Sequence, residues 1–141
     1  MPSTYQSNLI NAPVEKVWAA IKNFHDLSWA PNVVSSCESV GDTQGTEVGA
    51  KRILNGAFHE TLRAVESAAY QMTYSIDDGP SPVSPKEVSN YIGIIKLTPV
   101  TMQDSTLIEW SSSWDSSEEE AASFCHNIYV AILGDLAETM S

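Results

Sequence analysis

Basic residues are scarce in this chain. Its 141 residues include 7 Lys and Arg against 18 Asp and Glu, giving a formal net charge of −11 and an isoelectric point near 4.4. So few cations exclude nucleic acid as a main partner, because phosphate binding rests on Lys and Arg neutralising the backbone. They argue equally against docking on an anionic membrane. No apolar run approaches the roughly 20 residues that span a bilayer. The start, Met1-Pro2-Ser3-Thr4-Tyr5, lacks the basic-then-apolar layout of a secretory leader, and no lipidation motif is visible. The expected location is therefore the cytoplasm. The two cysteines, Cys37 and Cys125, lie far apart and outside any C-x-x-C pattern, so free thiols are expected. His25, His59 and His126 show no metal-ligand spacing. Phosphate-loop, dinucleotide and nucleophile-elbow motifs are all absent, so neither a metal nor a cofactor is expected.

What is present is a globular composition, 43% hydrophobic and 18% charged, at the length of one domain over residues 1–141. Residues 3–10 read as a first strand. Asn11-Ala12-Pro13 opens a helix, with Val14, Val17, Trp18 and Ile21 on one face. Residues 24–32 suggest a second short helix that stops before Pro31. Strand signals follow at 33–40, 48–54, 57–66, 70–76, 88–97 and 106–114. Asn55-Gly56 is a hairpin turn, since both residues tolerate positive φ. Ser117 and Glu120 form a capping box for a final helix, whose apolar stripe is read as Phe124, Ile128, Ile132, Leu136 and Met140. The expected class is α+β: a curved antiparallel sheet of about seven strands wrapped around a long C-terminal helix, with two short helices after the first strand.

Strand alternation places Phe58, Glu60 and Leu62 on one face. It likewise groups Tyr74 with Ile76, Tyr91 with Gly93, and Trp110 with Ser112 and Trp114. Each Tyr and Trp offers a large apolar body with one polar handle, which suits a cavity. Gly93 and Ser112 are small residues among large ones and are expected to leave space. Phe124, Asn127 and Ile128 are expected to face the same cavity from the helix. Glu60 points into apolar surroundings and needs a partner. A two-residue turn sets Lys51 opposite it, and a three-residue turn sets Arg52 there. A paired Glu60 is expected to have a lowered pKa. The long segment 77–85, with Pro80, Pro82 and Pro85, and residues 29–31 are expected to control access to the cavity.

The order of elements resembles the helix-grip fold of the START-like superfamily. The residues that carry the resemblance are Ala12-Pro13-Val14-Glu15-Lys16-Val17-Trp18, Trp29-Ala30-Pro31, Val48-Gly49-Ala50-Lys51-Arg52, His59-Glu60-Thr61-Leu62, Asn90-Tyr91 and Ile108-Glu109-Trp110. The branch it is most similar to is the bacterial group of polyketide cyclases/dehydrases and lipid-transport proteins. The resemblance implies a ligand cavity between sheet and helix, and it places Arg52 inward toward Glu60. It implies a small hydrophobic ligand (a lipid, polyketide or aromatic metabolite), with the protein a monomer or homodimer. The alternative is a cyclase or dehydratase using a cavity Glu, Arg or Tyr as acid and base. The sequence departs from the plant hormone receptors of this superfamily, whose gate turn is cut here to Leu54-Asn55-Gly56-Ala57.

Overall fold

The computed structural model describes residues 2–116 and 120–141. Nine main elements follow one another: β1 Ser3–Ile10, α1 Val14–Ile21, β2 Cys37–Val40, β3 Lys51–Leu54, β4 Phe58–Glu66, β5 Gln71–Asp78, β6 Ser89–Val100, β7 Ser105–Asp115 and α2 Glu120–Thr139. The strands form one seven-stranded sheet in the order β1-β7-β6-β5-β4-β3-β2. Every neighbouring pair is antiparallel. Strand β1 thus joins the far edge beside β7, and α2 lies across the concave face against it. At 20 residues and 1.5 Å rise per residue, α2 is about 30 Å long, enough to cross the sheet. Ser117, the expected cap of that helix, lies outside the described residues.

Helix α1 buries Val14, Val17, Trp18 and Ile21, the i, i+3, i+4, i+7 face read from the sequence. The second short helix does not form. Residues 22–36 run as a series of turns, because short polar side chains take the backbone N–H groups a helix would use. Asn23 Oδ1 accepts from His25 N at 3.0 Å, and Asp26 Oδ1 accepts from Ser28 N at 2.9 Å. The segment still buries Phe24, Leu27, Trp29 and Ala30.

Strands β2 and β3 are shorter than their apolar runs suggest, for two local reasons. The β3–β4 turn puts Asn55 (φ 54°) and Gly56 (φ 65°) in the left-handed region. Asn55 then clamps the preceding segment: its Oδ1 accepts from Ser35 N (2.7 Å) and Ser36 N (3.3 Å), and its Nδ2 donates to Val33 O (3.1 Å). Those bonds hold residues 33–36 out of β2. At the other end Gly49, at φ 98°, breaks the run before β3.

Strand parity agrees with the alternation. Leu62, Tyr74, Tyr91, Gly93, Trp110, Ser112 and Trp114 are all buried between sheet and helix. The helix stripe is rotated from the expected one. The buried positions are Ala121, Cys125, Tyr129, Ile132, Leu133, Asp135 and Leu136, so Phe124 and Ile128 sit half-buried at its margin. Gly93 leaves no void. A Cβ there would fall far inside the van der Waals surface of the Tyr74 ring, which lies over the glycine and fills the space. Gly93→Ala should therefore push Tyr74 off the sheet and lower stability by about 1–3 kcal/mol, the usual cost of overpacking. Urea unfolding together with near-ultraviolet circular dichroism would measure both effects.

Candidate functional site

The concave face and α2 form a partly open recess with a cavity volume of about 50 Å³. Its wall includes Leu27, Val34, Leu54, Phe58, Ile76, Cys125 and Ile132, with Arg52, Glu60, Tyr74, Trp110 and Tyr129 supplying the polar atoms. Ligand sites for drug-sized molecules usually occupy about 300–1,000 Å³. The recess is far smaller than that, so a guest of such size requires side chains of its wall to move.

The first polar feature is the Arg52–Glu60 pair. Register settles its partner: Leu54 pairs with Phe58, leaving a three-residue turn, so Arg52 faces Glu60 and Lys51 faces Thr61. Both side chains are buried, at 5% and 6% exposure, with Arg52 Nη2 at 2.6 Å from Glu60 Oε1. Arg52 Nε donates to the same oxygen at 2.8 Å, and Nη1 donates to Phe24 O at 3.0 Å. The guanidinium also stacks on Phe24, 3.7 Å from the ring centroid. The expected lowering of the Glu60 pKa is not what the structure gives. Burial pushes the carboxyl above its ordinary value, and the charge and hydrogen bonds of Arg52 pull it back only in part.

The second feature is a chain of phenols. Tyr74 Oη lies 2.7 Å from Tyr129 Oη, which lies 2.5 Å from Tyr91 Oη. Trp110 Nε1 donates to Tyr74 Oη at 3.0 Å. The rings stack in turn, Trp110 on Tyr129 at 4.8 Å and Tyr91 on Trp114 at 5.2 Å. Burial is the largest cause raising the pKa of all three tyrosines, so they stay protonated at neutral pH. Among the described residues, no three His, Cys, Asp or Glu side chains converge as a metal site.

Of the residues singled out from the sequence, Arg52, Phe58, Glu60, Tyr74, Ile76, Trp110 and Ile128 line the cavity. Leu62, Gly93, Ser112 and Trp114 are buried behind that wall. Tyr91 is buried there too and reaches the site only through its hydroxyl. Ser112 Oγ is bonded to Thr4 Oγ1 at 2.7 Å. Phe124 flanks the mouth, its ring 6.4 Å from that of Phe58. Asn127 is exposed, because one residue's step on a helix turns about 100° away from Ile128. Sequence reasoning misses Cys125 and Tyr129, whose i, i+4 spacing continued by Ile132 and Leu136 is the available signal.

Neither segment expected to control access, 77–85 nor 29–31, supplies a residue to the cavity lining, which includes Val33, Val34 and Asn55, although Gly79 lies close to the Phe58 ring of that wall. Trp29 is buried at 5% exposure and takes no part in it.

A long helix gripped by a curved antiparallel sheet, with a recess between them, defines the helix-grip class of small-molecule cavity proteins. The whole chain, residues 1–141, matches the family described as polyketide cyclase / dehydrase and lipid transport, and it belongs to that family. It is similar to a solved protein from Nitrosospira multiformis at 47% identity and a TM-score of 0.97, covering 99% of this chain and 97% of that one. An uncharacterized protein from Bacillus thuringiensis is 29% identical, with a TM-score of 0.80 and 98% of each chain covered. The protein XoxI from Bacillus cereus is 28% identical, also at 0.80, covering 99% of this chain and 96% of that one. No curated protein matches the chain.

The ion pair generates one expectation for stability and one for pH. Arg52→Ala leaves Glu60 buried without its cation and should cost about 3–5 kcal/mol in urea unfolding. For pH, a carboxyl whose folded pKa is raised contributes most below the ordinary carboxylate value, and that contribution is lost as pH rises through the folded value. As pH rises above the ordinary carboxylate value, wild type should therefore lose stability relative to Glu60→Gln. A relative gain would mean that Arg52 outweighs burial.

Proposed function

We propose that this protein binds and carries a small, mostly apolar molecule in the recess between the sheet and α2. The observation that supports this most directly is the composition of the wall. Aliphatic and aromatic side chains from residues 27–34, β3, β4, β5 and α2 surround a small number of fixed polar groups, the usual form of a ligand site. Family membership supports the same reading. Lipids, polyketides and aromatic metabolites all fit this chemistry, and the proposal places the protein in the cytoplasm as a monomer or homodimer.

A second reading, a cyclase or dehydratase, is favoured by one observation. Glu60 is a carboxyl on the cavity wall whose pKa burial raises above the ordinary value, the direction an acid–base role requires. Tyr74, on the same wall, would be the proton donor opposite it. Binding is preferred because Arg52 already holds Glu60 Oε1 through two nitrogens, which restrains a carboxylate more than it frees one.

Nile red fluorescence tests the binding reading. The dye should brighten on wild type, and Ile128→Trp, which fills the mouth from α2, should weaken its binding about tenfold or more. Equal binding to a folded Ile128→Trp variant would move the site away from this recess.

A further inference from the structure

The phenol chain carries one hydrogen more than its own bonds consume. Tyr74, Tyr129 and Tyr91 each have one hydroxyl hydrogen, and two contacts join them. Trp110 Nε1 has only a hydrogen to give, so Tyr74 Oη is the acceptor in their 3.0 Å contact. Each phenol–phenol contact uses one hydrogen, and Tyr129 can donate to only one neighbour. Three arrangements remain. In the first, Tyr91 donates to Tyr129 and Tyr129 to Tyr74, which leaves the Tyr74 hydrogen free. In the second, Tyr74 and Tyr91 both donate to Tyr129, which leaves the Tyr129 hydrogen free. In the third, the donation runs from Tyr74 through Tyr129 to Tyr91, which leaves the Tyr91 hydrogen to the Cys125 thiol or the Ser112 hydroxyl beside it.

In the first two arrangements the free hydrogen belongs to a tyrosine of the cavity wall, Tyr74 or Tyr129. The third spends the hydrogen on sulfur, a weak acceptor, or on Ser112 Oγ, which already shares a hydrogen bond with Thr4 Oγ1. Among the described residues, Tyr74 Oη and Tyr129 Oη have no hydrogen-bond partners outside this chain of phenols and the Trp110 indole. An oxygen acceptor on a guest would therefore gain a full hydrogen bond while leaving the chain intact. An anionic acceptor is disfavoured. Glu60 lines the same cavity, and the Arg52 cation is already committed to Glu60 and to Phe24 O.

We infer that the ligand presents a neutral carbonyl oxygen to the Tyr74–Tyr129 pair, with its apolar body directed toward the Phe58–Ile128 mouth. This rests on the binding reading above and names the chemical class it takes.

Three probes of like size separate the two ideas: acetophenone, ethylbenzene and benzoate. The ratio of acetophenone to ethylbenzene affinity, measured by NMR titration, should be about three- to tenfold higher for wild type than for Tyr74→Phe/Tyr129→Phe, the worth of one net hydrogen bond. In wild type alone, the 13Cζ resonances of Tyr74 and Tyr129 should move with acetophenone and stay in place with ethylbenzene. The bound ketone's carbonyl stretch should shift to lower frequency. Benzoate should bind more weakly than acetophenone. If ethylbenzene binds in the recess but acetophenone leaves both tyrosine resonances unmoved, or if benzoate binds more tightly than acetophenone, the carbonyl inference falls and the binding reading stands. If neither neutral probe binds, the binding reading falls and this inference falls with it.

Discussion

The Arg52–Glu60 pair organises this molecule's interior. Desolvating two charges is costly, and the cost is offset only when nearly every donor and lone pair finds a partner. Arg52 meets that demand by reaching three ways: to Glu60 across the β3–β4 ladder, to the carbonyl of Phe24, and onto the Phe24 ring. The contact with Phe24 ties the irregular segment 22–36 to the sheet. That segment is pinned at its other side by α2, where Asp135 Oδ2 accepts from Asn32 N at 2.7 Å and Thr139 Oγ1 donates to Trp29 O at 2.9 Å. A stretch with no helix of its own is thus held in one conformation by bonds to its neighbours. It supplies Leu27, Val33 and Val34 to the cavity wall.

The aromatic layer depends on a different constraint, which is close approach. Tyr74 can lie flat over β6 only because position 93 has no Cβ. With the ring there, its hydroxyl meets Tyr129 from α2 and the Trp110 indole from β7. Three elements distant in sequence are joined at one oxygen. Substituting apolar groups for such a network costs little in principle, whereas leaving it half-satisfied costs much. With both phenol contacts and the indole bond made, the network stays on the inexpensive side of that asymmetry.

Much of this is legible in the sequence, and the reasons for success and failure are physical. Strand parity has period 2, so one correct strand fixes which residues share a face. That is why alternation alone groups Tyr74, Tyr91, Trp110 and Trp114. The helix is harder. Phe124, Ile128, Ile132, Leu136 and Met140 repeat every four residues, but a helix turns in 3.6, so a strict four-residue stripe drifts round the cylinder. The buried line instead runs through Cys125 and Tyr129 to Ile132, and the four-residue stripe passes the first two by. Asn127 falls on the outer side for the same reason. The missing second helix has another cause. Asn23 and Asp26 are short polar side chains that satisfy backbone N–H groups two residues on, and apolar spacing alone does not register that competition. The choice between Lys51 and Arg52 hinges on whether Ala57 belongs to the turn, which residue types leave open and register decides.

The wall of the recess also depends on one side chain, Asn55. A tight Asn-Gly turn looks like a poor lid, and a long proline-bearing loop looks like a good one. Yet Asn55 uses its amide to gather residues 33–36 against the β3–β4 hairpin, which brings Val33 and Val34 to the recess. The 77–85 segment instead packs inward, with Val83 only 2% exposed. Asn55 thus holds the backbone beside the recess, and the half-buried Phe58, Ile76, Ile128 and Val34 belong to its wall. Rotamer changes in such residues are fast and inexpensive compared with moving a backbone lid. With a cavity of only about 50 Å³, a guest larger than a few heavy atoms requires such side chains to repack, because the Arg52–Glu60 pair and the phenols are held by their own bonds.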